Sequence, residues 1–204
     1  MRLSKSIFLF VTLLLVAAKF NAQDKLLFLN GKLLEGKILN QTAVEFSFQD
    51  KKNKQYSIDK YRVFSYTKNE KERVVYKFDT LSENFLSEID MRHFVYGEKD
   101  AHQTYRSNLV NIVGAAVGGT AGYFMHKDQS FFYAATPFLY TIITLPFGTK
   151  IHHQNNIKHQ NLFKEDEYLR GYDKVARSKR TTNALKFSFI GVAAGYVIGA
   201  LTHP

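Results

Sequence analysis

The chain has 204 residues, with 28 Lys and Arg against 18 Asp and Glu, and it contains neither cysteine nor tryptophan. Without cysteine it has no disulfides and no thiolate chemistry, so its stability has to come from packing or from a bilayer. The formal net charge of +10 is unevenly placed: residues 24–106 carry 15 basic and 13 acidic side chains, whereas residues 149–183 carry 8 and 4.

Residues 1–22 read as a secretory signal peptide. Arg2 and Lys5 precede an apolar run from Ile7 to Ala18, and small and polar residues surround Ala22. Such a leader marks an exported chain, puts the next module on the exported side, and argues against nucleic acid as a partner. Residues 24–79 read as a small β module of short alternating segments separated by polar turns. The pair Asn30-Gly31 predicts a two-residue type I′ hairpin, which needs positive φ at both positions. Alternation puts Val44, Phe46 and Phe48 on one side of a strand and Glu45 and Ser47 on the other, with Leu27 and Leu29 joining the expected core. So small a sheet either curls into a barrel or packs on the helices that follow it.

The string from Asp24 to Gly31, then Gly36, then Ile58-Asp59-Lys60 ahead of Val63-Phe64-Ser65, resembles the Sm-like small β-barrel modules that open exported envelope proteins of Bacteroidota-type bacteria. Residues 91–101 (MRHFVYGEKDA) and 168–180 (YLRGYDKVARSKR) are similar to strings in the same group. The resemblance implies a fold and no activity. The RNA binding of many Sm-like barrels does not carry over to an exported module with balanced charge.

Residues 84–106 read as a linker helix, with Ser87 as N-cap and Asp90 three residues on. The helical pattern stops near Gly97, and a second stretch runs through Tyr105 and Arg106 without a break into the following span. Glu98 and Asp100 read as charges at a helix N-terminus, on opposite sides and so unsuited to a shared acid and base site. Residues 107–148 form a helical hairpin of two apolar spans, 108–124 and 131–147, each about 17 residues long and at the short end of the membrane-crossing range. Pro137 is expected to kink the second span.

Residues 149–183 form a basic connector that becomes an amphipathic helix from about Lys164, and residues 184–202 form a third apolar span. Tyr168 and Tyr172 share a face suited to the headgroup level. Arg170, Lys174, Arg177, Lys179 and Arg180 form a candidate interface with anionic lipid or an acidic partner, and Asp173 can pair with Arg177. Gly114, Gly118 and Gly122 in the first span and Gly191, Gly195 and Gly199 in the third recur at four-residue spacing. Each set leaves a helix face without side chains, where another backbone can approach. An exported β module puts the basic connector outside as well, against the positive-inside preference, so that either the hairpin dips in and returns without a full crossing, or the target is an outer or peripheral membrane surface, or the preference is overridden.

The expected fold class is therefore α+β: a small antiparallel β-barrel or meander followed by a glycine-zipper helical membrane bundle. The sequence holds no P-loop, no dinucleotide fingerprint and no G-x-S-x-G elbow, and His152, His153 and His159 lack metal-ligand spacing. No catalytic, cofactor-binding or metal-ligating residue is assigned. The expectation is a non-enzymatic membrane-associated envelope protein with a structural or interaction role, whose partners are membrane lipid and either another protein or a second copy of the chain. The alternative is an envelope enzyme or ligand sensor with a site between the β module and residues 91–105, marked by carboxylates, basic groups and tyrosines converging in one pocket.

Overall fold

The computed structural model describes residues 23–82, 84–149 and 157–202. The expected signal peptide and two of the histidines, His152 and His153, lie outside them. The described chain divides into two compact units, one of residues 24–27 and 34–75, the other of residues 28–33 and 76–202.

The first unit is built on an antiparallel sheet of six strands: β1 (Asp24–Phe28), β2 (Leu33–Gln41), β3 (Glu45–Asp50), β4 (Gln55–Asp59), β5 (Val63–Lys68) and β6 (Lys71–Val74). Their order is β4-β3-β2-β1-β5-β6, so β4 and β6 are free edges and the sheet is open, not the closed barrel that was one of the two expectations. Both edge strands are short, at 5 and 4 residues, which limits the ladder available for closure. Leu26, Phe46, Phe48 and Phe64 are fully buried, and the Phe46 ring meets Tyr66 edge-on at 5.2 Å. Gly36 lets β2 pass close to β3, because a Cβ there would overlap the Gln49 carbonyl oxygen and the Phe48 ring.

Two expectations about the core are corrected. Val44 is 68 % exposed, because it lies in the bend before β3, where the Thr42 hydroxyl accepts hydrogen bonds from the Val44 and Glu45 amides. Leu29 is half-buried in the turn after β1, and Leu26 occupies the core with Leu27. The turn itself falls where Asn30-Gly31 predicts but is of another type. Only Gly31 has positive φ (69°), the Gly31 amide donates to Phe28 O at 3.0 Å, and the Phe28 amide donates to Lys32 O at 2.9 Å. That is a type I turn completed by a glycine bulge.

Among its described residues the second unit holds four α-helices: α1 (Glu88–Thr104), α2 (Asn108–Lys127), α3 (Thr136–Thr144) and α4 (Asp166–Thr202). Ser87 caps α1, accepting from the Asp90 amide at 3.1 Å while its hydroxyl donates to the Asp90 carboxylate at 2.8 Å. α1 runs straight through Gly97, where a stop was expected, and breaks at residues 105–107, where continuity was expected. Gly97 is there for approach: a Cβ on it would overlap the Tyr168 carbonyl oxygen of α4, and one on Gly171 would overlap the Phe94 carbonyl oxygen of α1. Pro137 sits in the first turn of α3 after a short 3-10 stretch (Phe131–Ala135), so it starts the helix and does not kink it. The amphipathic helix and the third apolar span are one element, α4, of 37 residues. Among the described helices α4 is the one long and apolar enough to cross a membrane.

Two substitutions separate the observed core from the expected one. Phe48→Ala empties a fully buried site and is expected to cost about 3–5 kcal/mol, whereas Val44→Ala is expected to change stability by no more than about 0.5 kcal/mol. Chemical denaturation of both variants measures the contrast.

Candidate functional site

The polar groups of the second unit gather where α4 crosses α1. Glu98 and Asp100 stand two apart on α1, and both are 1 % exposed. They are not helix N-terminal charges, because α1 begins ten residues before Glu98. Glu98 accepts an ion-paired hydrogen bond from Lys174 of α4 at 2.8 Å, and the backbone at Gly31 closes over its Cβ. Burial pushes the Glu98 carboxyl above its ordinary value, and Lys174 only partly offsets this. Asp100 Oδ2 accepts from the Tyr168 hydroxyl at 2.9 Å, His159 Nδ1 at 2.9 Å and the His159 amide at 3.3 Å. The Tyr96 ring stacks on the His159 ring at 4.3 Å, fixing its plane.

Carboxylates, a basic group and tyrosines therefore converge, but inside a packed core. Tyr168 is fully buried and Tyr172 is 4 % exposed, among Ala101, Ile157, Val175 and Ala176. Both tyrosines were expected at a headgroup surface, and both instead face α1. Asp100 and Tyr168 are sealed from solvent, and of the Asp100–His159–Tyr168 set only the His159 side chain, 23 % exposed, reaches it. The set ties the segment before α4 and the start of α4 to α1. Among the described residues no three histidine or carboxylate side chains gather as a ligand set.

Of the five candidate interface cations, Arg170, Lys174 and Arg177 are exposed, whereas Lys179 is half-buried and Arg180 is buried. Arg170 pairs with Glu167 and Arg177 with Asp173, both along the α4 surface. Lys174 is spent on Glu98. Lys179 donates to Ala101 O at 3.2 Å and His102 O at 2.7 Å, satisfying carbonyls at the C-terminal end of α1. Burial, and secondarily the nearby Arg106 charge, pulls the Lys179 ammonium below its ordinary value. Arg180 is 5 % exposed and donates to Gly148 O at 3.2 Å and Leu145 O at 3.3 Å, just past α3.

The six glycines of the two sequence ladders lie along the contact of α2 with α4. A Cβ on Gly118 would overlap the Ser188 carbonyl oxygen, one on Gly122 that of Val192, one on Gly191 that of Ala115 and one on Gly195 that of Gly119. Gly114 and Gly199 meet side chains, those of Tyr140 and His126 at 2.9 and 3.0 Å. The pairing rises with residue number on both helices, so α2 and this half of α4 run parallel. The polar cluster falls in the region that the sequence offers only as the alternative site, with Glu98 and Asp100 read there as helix N-terminal charges. Its one visible signal was a pair of carboxylates inside a helix whose neighbouring positions are aromatic and small.

No protein-family model matches the chain, and neither does any curated protein or solved structure.

The Glu98–Lys174 pair yields a signed prediction. A carboxyl whose folded-state pKa is raised gives stability that is full below its ordinary value, near 4.5, and is lost as pH rises through the raised one. Glu98→Gln removes that loss, so its melting temperature relative to the parent is expected to climb as pH goes from about 4 to 7. Lys174→Met leaves the buried carboxylate without its cation and is expected to be the more destabilising of the two at pH 7. Thermal unfolding across that pH range checks both.

Proposed function

We propose that the chain is a non-enzymatic, membrane-associated cell-envelope protein, a β module exported on a helical anchor, with a structural or interaction role. One observation carries the reading. Only 28 % of the apolar stretch of α4 is buried, whereas the core helix of a water-soluble protein is mostly buried. Phe189, Ile190, Val197, Ile198 and Leu201 of α4 point outward, beside exposed Leu109, Ile112 and Val117 of α2 and Phe138, Leu139 and Ile142 of α3. In water these outward-facing apolar side chains would lack cover, while against acyl chains they are an ordinary exterior.

The glycine contacts favour the same environment. In lipid, helices gain nothing by hiding apolar groups from one another, so association rests on close backbone packing, and glycine faces supply it. The polar cluster then lies on the side where α4 begins. An export signal at residues 1–22 would put that side in the periplasm. Membrane lipid is the first partner, and another protein or a second copy of the chain is the expected second. The enzyme alternative is disfavoured by the burial of Asp100 and Tyr168.

The precursor is expected to be processed near Ala22, and the mature chain to stay in the membrane pellet after alkaline carbonate treatment. Gly118→Leu or Gly195→Leu is expected to destabilise the fold by about 1–3 kcal/mol and to alter its crosslinking pattern, whereas Leu201→Ile does neither. Recovery of the parent in the soluble fraction would overturn the membrane reading.

A further inference from the structure

Arg180 has no anionic partner among the described residues, although it is 5 % exposed. Its two hydrogen bonds go to neutral carbonyls, and its Nε is buried with no acceptor. A buried guanidinium is normally paired with a carboxylate or phosphate, because two carbonyls return only part of its lost hydration. The nearest acidic side chain along α4, Asp173, is engaged by Arg177 and by the Thr149 hydroxyl.

Arg180 lines an open-sided cavity of about 550 Å³ in the second unit, bounded by the break between α1 and α2, the first turns of α2 and the end of α3. The lining of the cavity is chemically mixed. Leu109, Val110, Val113, Ile143 and Phe147 form an apolar wall, and Arg106, Tyr172 and Arg180 provide the polar one. The volume falls within the range of small-molecule sites. Arg180 stands four residues before the apolar half of α4 begins at Ala184, where a membrane anchor meets the headgroup layer.

We propose that this cavity binds an anionic amphiphile, with the carboxylate or phosphate head completing Arg180 and the acyl chain lying on the Leu109–Val113 and Ile143–Phe147 wall. The site rests on the membrane reading for the origin of the lipid, though not for its chemistry, which the cavity and the uncompensated cation supply. Arg106 adds a second positive charge to the lining. The head is shared by two sources, a free fatty acid and a membrane phospholipid, and the experiment separates them.

The test uses the full chain in a neutral detergent, offered oleate, phosphatidylglycerol, or the uncharged controls oleyl alcohol and phosphatidylcholine. Native mass spectrometry reads stoichiometry and competition, and thermal unfolding reads stabilisation. One anionic ligand is expected to bind per chain, with at least about tenfold preference over its neutral counterpart, the gap set by one charge-assisted contact. Retention of oleate alone identifies the free acid, and retention of phosphatidylglycerol alone identifies the membrane lipid. Arg180→Gln is expected to abolish the preference, Arg180→Lys to keep most of it, and Val110→Trp to block binding by filling the apolar part while leaving the cation intact. Equal binding of charged and neutral ligands, no binding of either anion, or an unchanged preference in folded Arg180→Gln would overturn the proposal. The outcome is independent of carbonate extraction, so failure of the site and failure of the membrane reading are told apart.

Discussion

The second unit depends on how closely the backbones of α2 and α4 approach. At Gly118, Gly122, Gly191 and Gly195 there is no space for even a methyl group. Where two backbones meet at that distance, the side chains of both helices are directed to the flanks and outward. This is why α4 carries Phe189, Ile190, Val197 and Ile198 on its exposed side while Gly191, Gly195 and Gly199 are buried. The apolar exterior and the small-residue interior are two consequences of one packing choice. Leucines on the inner face would separate the helices and remove the dispersion contacts that hold them together.

Because α4 is one unbroken helix of 37 residues, about 55 Å long, the same rod also places the polar cluster. Its N-terminal half crosses α1 at a second close approach, Gly97 against Tyr168 and Gly171 against Phe94, and brings Tyr168, Lys174 and Lys179 onto α1. Among the described residues of the second unit, the three buried charged groups are compensated unequally. Asp100 receives three hydrogen bonds and Glu98 a lysine, while Arg180 has only carbonyls. That inequality distinguishes a structural tie from an unfilled binding site. Asp100 takes its three hydrogen bonds on Oδ2 while Oδ1 takes none, and neither buried carboxylate lines the cavity that Arg180 lines.

Periodicity and capping made much of this architecture legible. Ser87 starts α1 as expected, because a hydroxyl N-cap is a local interaction needing nothing from the rest of the fold. Phe46 and Phe48 are in the sheet core because strict alternation fixes a strand's faces. The misreadings share a cause, which is that one residue type serves two purposes. Gly97 looks like a helix stop and is a contact point, and the proline at residue 137 looks like a kink and starts a helix. Arg180 looks like one more surface cation in a basic stretch. Its burial comes from the chain after α3 folding back over α4, which no window of sequence displays. The turn at Asn30-Gly31 was placed correctly and mistyped, since Gly31 alone supplies the positive φ that a bulged hairpin requires.

A set of single glycine-to-alanine variants in α2 and α4, compared by thermal unfolding in one detergent, tests the central claim through the sign of the effect. In an uncrowded helix alanine stabilises relative to glycine by about 1 kcal/mol. Gly119 is such a position, its nearest foreign atom lying 3.8 Å from where a Cβ would be. Gly119→Ala should therefore raise the melting temperature or leave it unchanged, while Gly118→Ala, Gly122→Ala and Gly195→Ala should each lower it. If alanine stabilises at all four positions, the two helices do not meet backbone to backbone, and the account built on that contact is wrong.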